Sequence, residues 1–284
     1  MALLNALLVT ALVVVGSLAV TAAICIDAQQ LRRTRAGIDV RLADVAPYLA
    51  ATALFFIAKR ATHGLSLRVS ESLNWNITDE LYAIEGLFVA HLQDLTPNAT
   101  YDFFSVMYMF GFPFLLIFPL FAYFLLPSRR HLKELLMAYL LNYFIGTLCY
   151  TLFIAKGPRV WVSGAVSEPM YELYPQTQDL TAAVSANTNV FPSLHTSLAV
   201  AAAIMAYRSR EAYPRWFQIA TVVATCVVLS TMVLGIHWLL DVVAGVVLAV
   251  ASVRGASRIV DWGEGKRSES TDQLEGGAPT GTDD

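Results

Sequence analysis

Long apolar runs alternate along the chain with short polar segments rich in arginine. Most runs approach the ~20 residues that a helix needs to cross a ~30 Å hydrocarbon core. The pattern therefore predicts a bundle of membrane spans rather than a soluble core. The first run, 2–26, lacks the basic start of a signal peptide and exceeds the length of its apolar region, so it is expected to be a retained span. The second, 45–58, is near the lower limit for crossing and is compatible with a short span or with a tilted or re-entrant segment. Runs at 103–126, 135–155, 194–207, 217–236 and 238–253 bring the candidates to seven. Pro113 and Pro119 interrupt the third of these runs, and a helix inside a bundle absorbs such residues as kinks.

The polar segments assign sides. Arginines and lysines flanking a span mark the cytoplasmic face, and the basic stretches 32–35, 129–133 and 208–215 agree on one arrangement. It places the N-terminus outside and the C-terminus inside. Between the second and third runs, 62–101 is mixed in character, with Leu81, Ile84, Leu87, Phe88, His91 and Leu92 recurring at three- and four-residue spacing. That spacing predicts an amphipathic helix lying on the membrane face. Two N-glycosylation triplets, at Asn76 and Asn98, fall in the same segment and agree with an outside position. Beyond Arg254 the composition turns to Gly, Ser, Thr, Asp and Glu, which predicts a disordered cytoplasmic tail. Three regions follow: N-terminal spans with the amphipathic segment over 1–100, a catalytic helix bundle over 101–255, and a tail over 256–284.

Composition reinforces this reading and removes some functions. Hydrophobic residues make up 56% of the chain and charged residues 14%, with a mean hydropathy of +0.56. A soluble domain carries about 25% charged residues. The formal net charge of −3 argues against a nucleic-acid partner, which selects a basic face. Cys25, Cys149 and Cys226 lie inside apolar runs without ligand spacing and are expected to be buried free thiols.

Polar groups at membrane depth are costly and are functional suspects by default. Three clusters qualify, all at the outer face of the expected topology. In the third, His237 and Asp241 are four residues apart, a spacing that places both on one helical face and lets the carboxylate fix the ring's tautomer. A histidine so held is built as a nucleophile or base; the plainer alternative is a polar pair tying two helices. In the second, Pro192 and Ser193 open a helix whose free N–H groups attract an anion, with His195 in the first turn. Ser193 also suits a simple cap there. The first cluster, Lys156-Gly157-Pro158-Arg159, offers a point charge and a planar fork for phosphate, or merely two side chains reaching for the interface. Together the clusters describe a site for a phosphate ester, with nucleophile, acid and charge clamps and no need for a metal or other cofactor.

These residues resemble the integral-membrane type-2 phosphatidate phosphatase superfamily. Pro192-Ser193-Leu194-His195 is similar to its Pro-Ser-Gly-His motif. Ser230-Thr231, five residues, His237, three residues and Asp241 are similar to its Ser-Arg, five, His, three, Asp motif. Leu194 stands for the usual Gly and Thr231 for the usual Arg. The superfamily's Lys, six residues, Arg-Pro motif is reduced to Lys156 and Arg159. The variants look closer to the branch holding the fungal inositol phosphorylceramide synthases. The resemblance implies a phosphatase or haloperoxidase-like helix bundle acting on a lipid phosphate in the cell membrane. It also implies a phosphohistidine on His237, oriented by Asp241, with His195 as acid and base and with Ser193, Arg159 and Lys156 on the phosphate oxygens; should the two cations prove idle, Arg60, Arg68 and the backbone around Ser193 are the next clamps to consider. Hydrolysis and head-group transfer both remain open.

Two other readings use the same residues. His195, His237 and Asp241 are plausible ligands for a zinc ion, although the neighbouring cations suit an anion better. A transporter with His237 and Asp241 in a proton relay is the non-enzymatic reading, weakened by the lack of internal repeats.

Overall fold

The computed structural model describes residues 2–35, 37–175, 178 and 188–276. The apolar runs are helices, and among the described residues there is no strand beyond two isolated bridges, Asn76 to Ile154 and Ala155 to Asn189. In chain order come α1 (Ala2–Cys25), α2 (Ala28–Arg35), α3 (Ile38–Ala61), α4 (His63–Leu73), α5 (Thr78–Glu85), α6 (Phe88–Asp94) and α7 (Tyr101–Val106). A π-helical turn, Met107–Gly111, leads into α8 (Phe112–Phe124). Then follow α9 (Arg130–Leu152), α10 (Pro158–Trp161), α11 (Pro169–Leu173), α12 (Leu194–Arg208), α13 (Pro214–Val233) and α14 (Leu239–Gly276). The middle of the expected 157–190 loop, 176–177 and 179–187, falls outside the described residues.

Among the described residues, six helical stretches are long and apolar enough to cross a membrane. The fifth run, 194–207, gives α12, with 15 residues, about 22 Å at 1.5 Å per residue, short of the hydrocarbon thickness. α12 is the central helix: α8, α9, α13 and α14 surround it, and Ala199, Ala201, Ala202, Met205 and Ala206 are fully buried. Its alanines let neighbouring backbones approach closely, the packing that replaces hydrophobic drive between helices in lipid. Only one face, at Val200, Ala203, Ile204 and Tyr207, stays partly exposed.

Three expectations change. The run at 45–58 belongs to a full 24-residue helix, and the charged residues that extend it toward the N-terminus are satisfied by protein. Arg41 donates to the carbonyls of Phe124 and Leu126 at 2.9 and 2.7 Å, and Asp44 pairs with Arg129 and Lys133. The expected amphipathic helix over 62–101 is broken into α4, α5 and α6. Gly86 sits between the last two at φ 58° and ψ −130°, a backbone conformation open to glycine alone. The tail expected from 256 is helical as far as Gly276. Val253, Ala256 and Val260 continue one buried face at helical spacing, and Asp261 and Glu264 pair with Arg130 and Lys133 of α9. Residues 277–284 lie outside the described residues.

The basic loops gather at one end of the bundle. Arg215 donates to the Ile24 carbonyl at the end of α1, and Arg208 pairs with Glu134 at the start of α9. The starts of α12 and α14 and the end of α9 are at the opposite end, where α5 and α6 form a roof.

Candidate active site

The turn between α13 and α14 is shaped by backbone groups. The Thr231 carbonyl accepts from both Ile236 and His237 N–H at 3.0 Å, and Gly235 turns the chain at φ 69°. A side chain at Gly235 would press on Val166 at 2.8 Å and on the Ser167 carbonyl at 2.9 Å, so the loop carrying Arg159 packs directly on this turn. Ser230 and Thr231 spend their hydroxyls on the carbonyls of Val227 and Val228, one turn back in their own helix. Thr231 therefore contributes its carbonyl, and its side chain is no substitute for a cationic clamp.

His237 precedes α14 and faces its first turn. Its Nδ1 lies 3.3 Å from Asp241 Oδ2, which also accepts the Trp238 N–H at 2.8 Å. The Val190 carbonyl lies near the ring and favours its protonated form, but does not outweigh burial. Burial first, and the charge of Arg159 second, hold the pKa of His237 below the usual histidine range, leaving a neutral ring at neutral pH. Asp241 is fully buried, and its Oδ1 has no hydrogen-bond partner among the described residues.

Hydrogen bonds tie all three sequence clusters together. The Ser193 N–H donates to the Asp241 carbonyl at 3.0 Å, the Trp238 indole N–H to the Lys156 carbonyl at 2.9 Å, and the Arg159 N–H to the Gly235 carbonyl at 3.0 Å. Gly157 and Gly245 permit this: a Cβ on the former would collide with the Ile236 carbonyl, and on the latter with the Ser193 carbonyl at 2.6 Å. Ser193 is the cap of α12, its Oγ accepting the Thr196 N–H at 3.2 Å. Its hydroxyl proton is still available to an anion. His195, in the first turn of α12, has its ring centre 6.2 Å from that of His237. It is held between Tyr108, stacked at 4.5 Å, and Phe112 at 4.4 Å.

The two cations part company. The Arg159 guanidinium lies 4.6 Å over the Tyr171 ring and 3.8 Å from Glu168, and its charge acts on His237. The Lys156 ammonium sits 5.8 Å from the Trp161 ring centre, so this residue's link to the pair is its carbonyl. Arg68 bonds the Gly64 carbonyl within α4. Among the described residues no three His, Cys, Asp or Glu side chains gather closely enough to hold a metal ion.

Sequence reasoning missed the roof. Glu85 at the end of α5 accepts the N–H groups of Leu239 and Leu240 at 2.8 and 3.0 Å, one on each carboxylate oxygen. Buried Gln93 of α6 donates to the Ser167 and Val233 carbonyls and accepts the Ser167 N–H. Neither residue left a signal in the sequence, since both lie among other polar residues of a mixed segment.

Residues 85–254 match the family described as the PAP2 superfamily, and the chain belongs to it. Members of this superfamily typically catalyse phosphoester hydrolysis or transfer. The matched region starts at Glu85 and holds all six candidate residues. The chain is also similar to an uncharacterised protein of Methanocaldococcus jannaschii, 29% identical over 171 residues, which is 56% of this chain and 62% of that relative. No solved structure matches it.

Proposed function

We propose that this protein is an integral-membrane lipid phosphatase or phosphotransferase that works through a phosphohistidine at the extracytoplasmic face. The observation that carries the reading is the neutral, buried His237 beside Asp241, with His195 one ring-width away and Arg159 at the same mouth. The free ring nitrogen of His237 attacks phosphorus, and the bond from phosphorus to the lipid oxygen breaks. His195 gives a proton to that leaving oxygen. It then takes a proton from water or from an acceptor hydroxyl, whose oxygen attacks phosphorus and releases His237. Arg159, the Ser193 hydroxyl and the first-turn amides of α12 stabilise the equatorial oxygens, the main catalytic demand in phosphoryl transfer. Lys156 adds positive potential and anchors Trp238 through its carbonyl.

The test is transfer of label from phosphatidate with a radioactive phosphate group, using purified protein in detergent without added metal. Label appearing as inorganic phosphate identifies hydrolysis; label appearing on an added polyol identifies transfer. Retention of all label in the lipid, across phosphatidate and polyprenyl phosphates, removes the proposal.

Sidedness has its own expected outcome, supported by the basic loops gathering opposite the site. In a variant with Cys25, Cys149 and Cys226 replaced, a single cysteine at Gly164, where the chain is exposed, reacts with an impermeant thiol reagent in whole cells. Labelling of the C-terminal tail instead reverses the orientation.

A further inference from the structure

We infer that Glu85 is a positioning residue for the His237–Asp241 pair: its carboxylate satisfies the start of α14 so that the Asp241 carboxylate is left to hold the histidine. The inference rests on the phosphotransfer reading above for its kinetic consequence, but its geometric content stands apart from any substrate.

The first turn of a helix presents N–H groups with no partner inside the helix. At the start of α14 these belong to Trp238, Leu239 and Leu240, and three carboxylate oxygens meet them. Asp241 Oδ2 takes Trp238, Glu85 Oε1 takes Leu239, and Glu85 Oε2 takes Leu240. The two glutamate bonds reach across more than 150 residues of chain, at separations of 154 and 155. Asp241 therefore shares one oxygen between its own helix and His237 and is asked for nothing more.

Removing Glu85 leaves the Leu239 and Leu240 amides half-buried and unsatisfied, a costly state. Asp241 lies on the same helical turn and acts on Glu85, and its Oδ1 is buried with no partner among the described residues. A carboxylate drawn toward those amides turns away from His237 Nδ1. The same vacated helix start also attracts the substrate phosphate away from the nucleophile.

The seat of Glu85 is well supported. Leu81, one turn earlier on α5, packs in one cluster with Trp238, and the Tyr82 ring is 6.2 Å from the Trp238 ring. Trp238 is fully buried, and the Gly86 turn then carries the chain into α6 and its Gln93 bonds. Burial pushes the Glu85 carboxyl upward while the two N–H bonds pull it back.

The experiment uses full-length protein in detergent, with Glu85→Gln and Glu85→Ala. Nitrogen NMR of the imidazoles, with the His237 signal assigned by its loss in His237→Ala, reads the pair without substrate. The parent should show one fixed tautomer for His237, Glu85→Ala a mixture, and Glu85→Gln, which keeps one acceptor oxygen, an intermediate state. On phosphatidate, kcat should fall roughly a hundredfold in Glu85→Ala and less in Glu85→Gln, the scale of a slightly misplaced catalytic group, with KM nearly unchanged. An unaltered His237 signal in both variants overturns the inference, as does a raised KM at parental kcat, which makes Glu85 part of the substrate seat. An altered signal in a protein whose parent releases no phosphate upholds the positioning role and removes the phosphatase reading instead.

Discussion

Replacing His237 with alanine is expected to abolish turnover while leaving a folded protein, and Asp241→Asn is expected to reduce it by about 10³ to 10⁴, the scale set by the same change in serine proteases. The two effects have different origins. His237 is the protein's nucleophile in the proposed reaction, and no other side chain is assigned that role. Asp241 fixes which ring nitrogen carries the proton. An asparagine keeps the oxygen that accepts the Trp238 N–H at 2.8 Å, so the start of α14 remains capped. The same oxygen faces His237 Nδ1, so the contact with the ring is kept while the negative charge that supports the ring as it turns cationic is lost. The change is thus a loss of charge support with little loss of stability. Turnover of both variants, read beside their thermal unfolding midpoints, checks it. Parental rates in folded His237→Ala remove the nucleophile assignment. An Asp241→Asn variant that unfolds many degrees lower makes Asp241 a helix cap first.

How much of this was visible in the chain differs from one residue to the next. The His237 to Asp241 spacing led to the right contact by a slightly different route. The pair was expected on one helical face, yet α14 begins at Leu239 and His237 stands in the preceding turn. Any geometry that brings a residue just before a helix against its third position gives the same 3.3 Å contact. Ser193 is where a Pro-Ser pair before an apolar run should put it, since capping is a local matter. The tie between these two stretches, Ser193 N–H to the Asp241 carbonyl, involves only backbone and leaves no trace in side-chain pattern. Glu85 was illegible for a related reason. It lies among other polar residues of a mixed segment, and its partners are backbone amides 154 and 155 residues away. Tyr108 and Phe112 read as two more aromatics in a Phe-rich span; four residues apart across the π-turn at Met107–Gly111, they share a face, and the packing of that face on α12 sets both rings against His195. The helical extension to Gly276 was legible in part, through Ala256 and Val260, but the Gly- and Ser-rich composition outweighed two small apolar residues.

The division between the two cations leads to the second large expected effect. Arg159→Lys should lower turnover by roughly a hundredfold or more, the cost of losing one preorganised donor in the transition state, about 3 kcal/mol. Thr231 offers no compensation, because its hydroxyl is bonded to the Val228 carbonyl. Arg159 is also preset. Its backbone N–H is fixed by the Gly235 carbonyl, and its guanidinium is stacked on Tyr171 and steadied by Glu168 at 3.8 Å. A planar fork held in that way meets two phosphate oxygens at once, whereas an ammonium neither stacks as well nor bonds in parallel. Lys156→Arg should be mild by comparison. Its ammonium already rests near Trp161, a face that a guanidinium occupies equally well, and the carbonyl bond to Trp238 is untouched by the side chain. Both conservative variants should be measured in one detergent against the same lipid phosphate, with unfolding midpoints alongside. If Arg159→Lys turns over as fast as the parent while Lys156→Arg is inactive, the clamp is Lys156, and its ammonium must leave Trp161 when substrate binds. If neither changes the rate, the phosphate is held by Ser193 and the amides at the start of α12, and Arg159 serves only to keep His237 neutral.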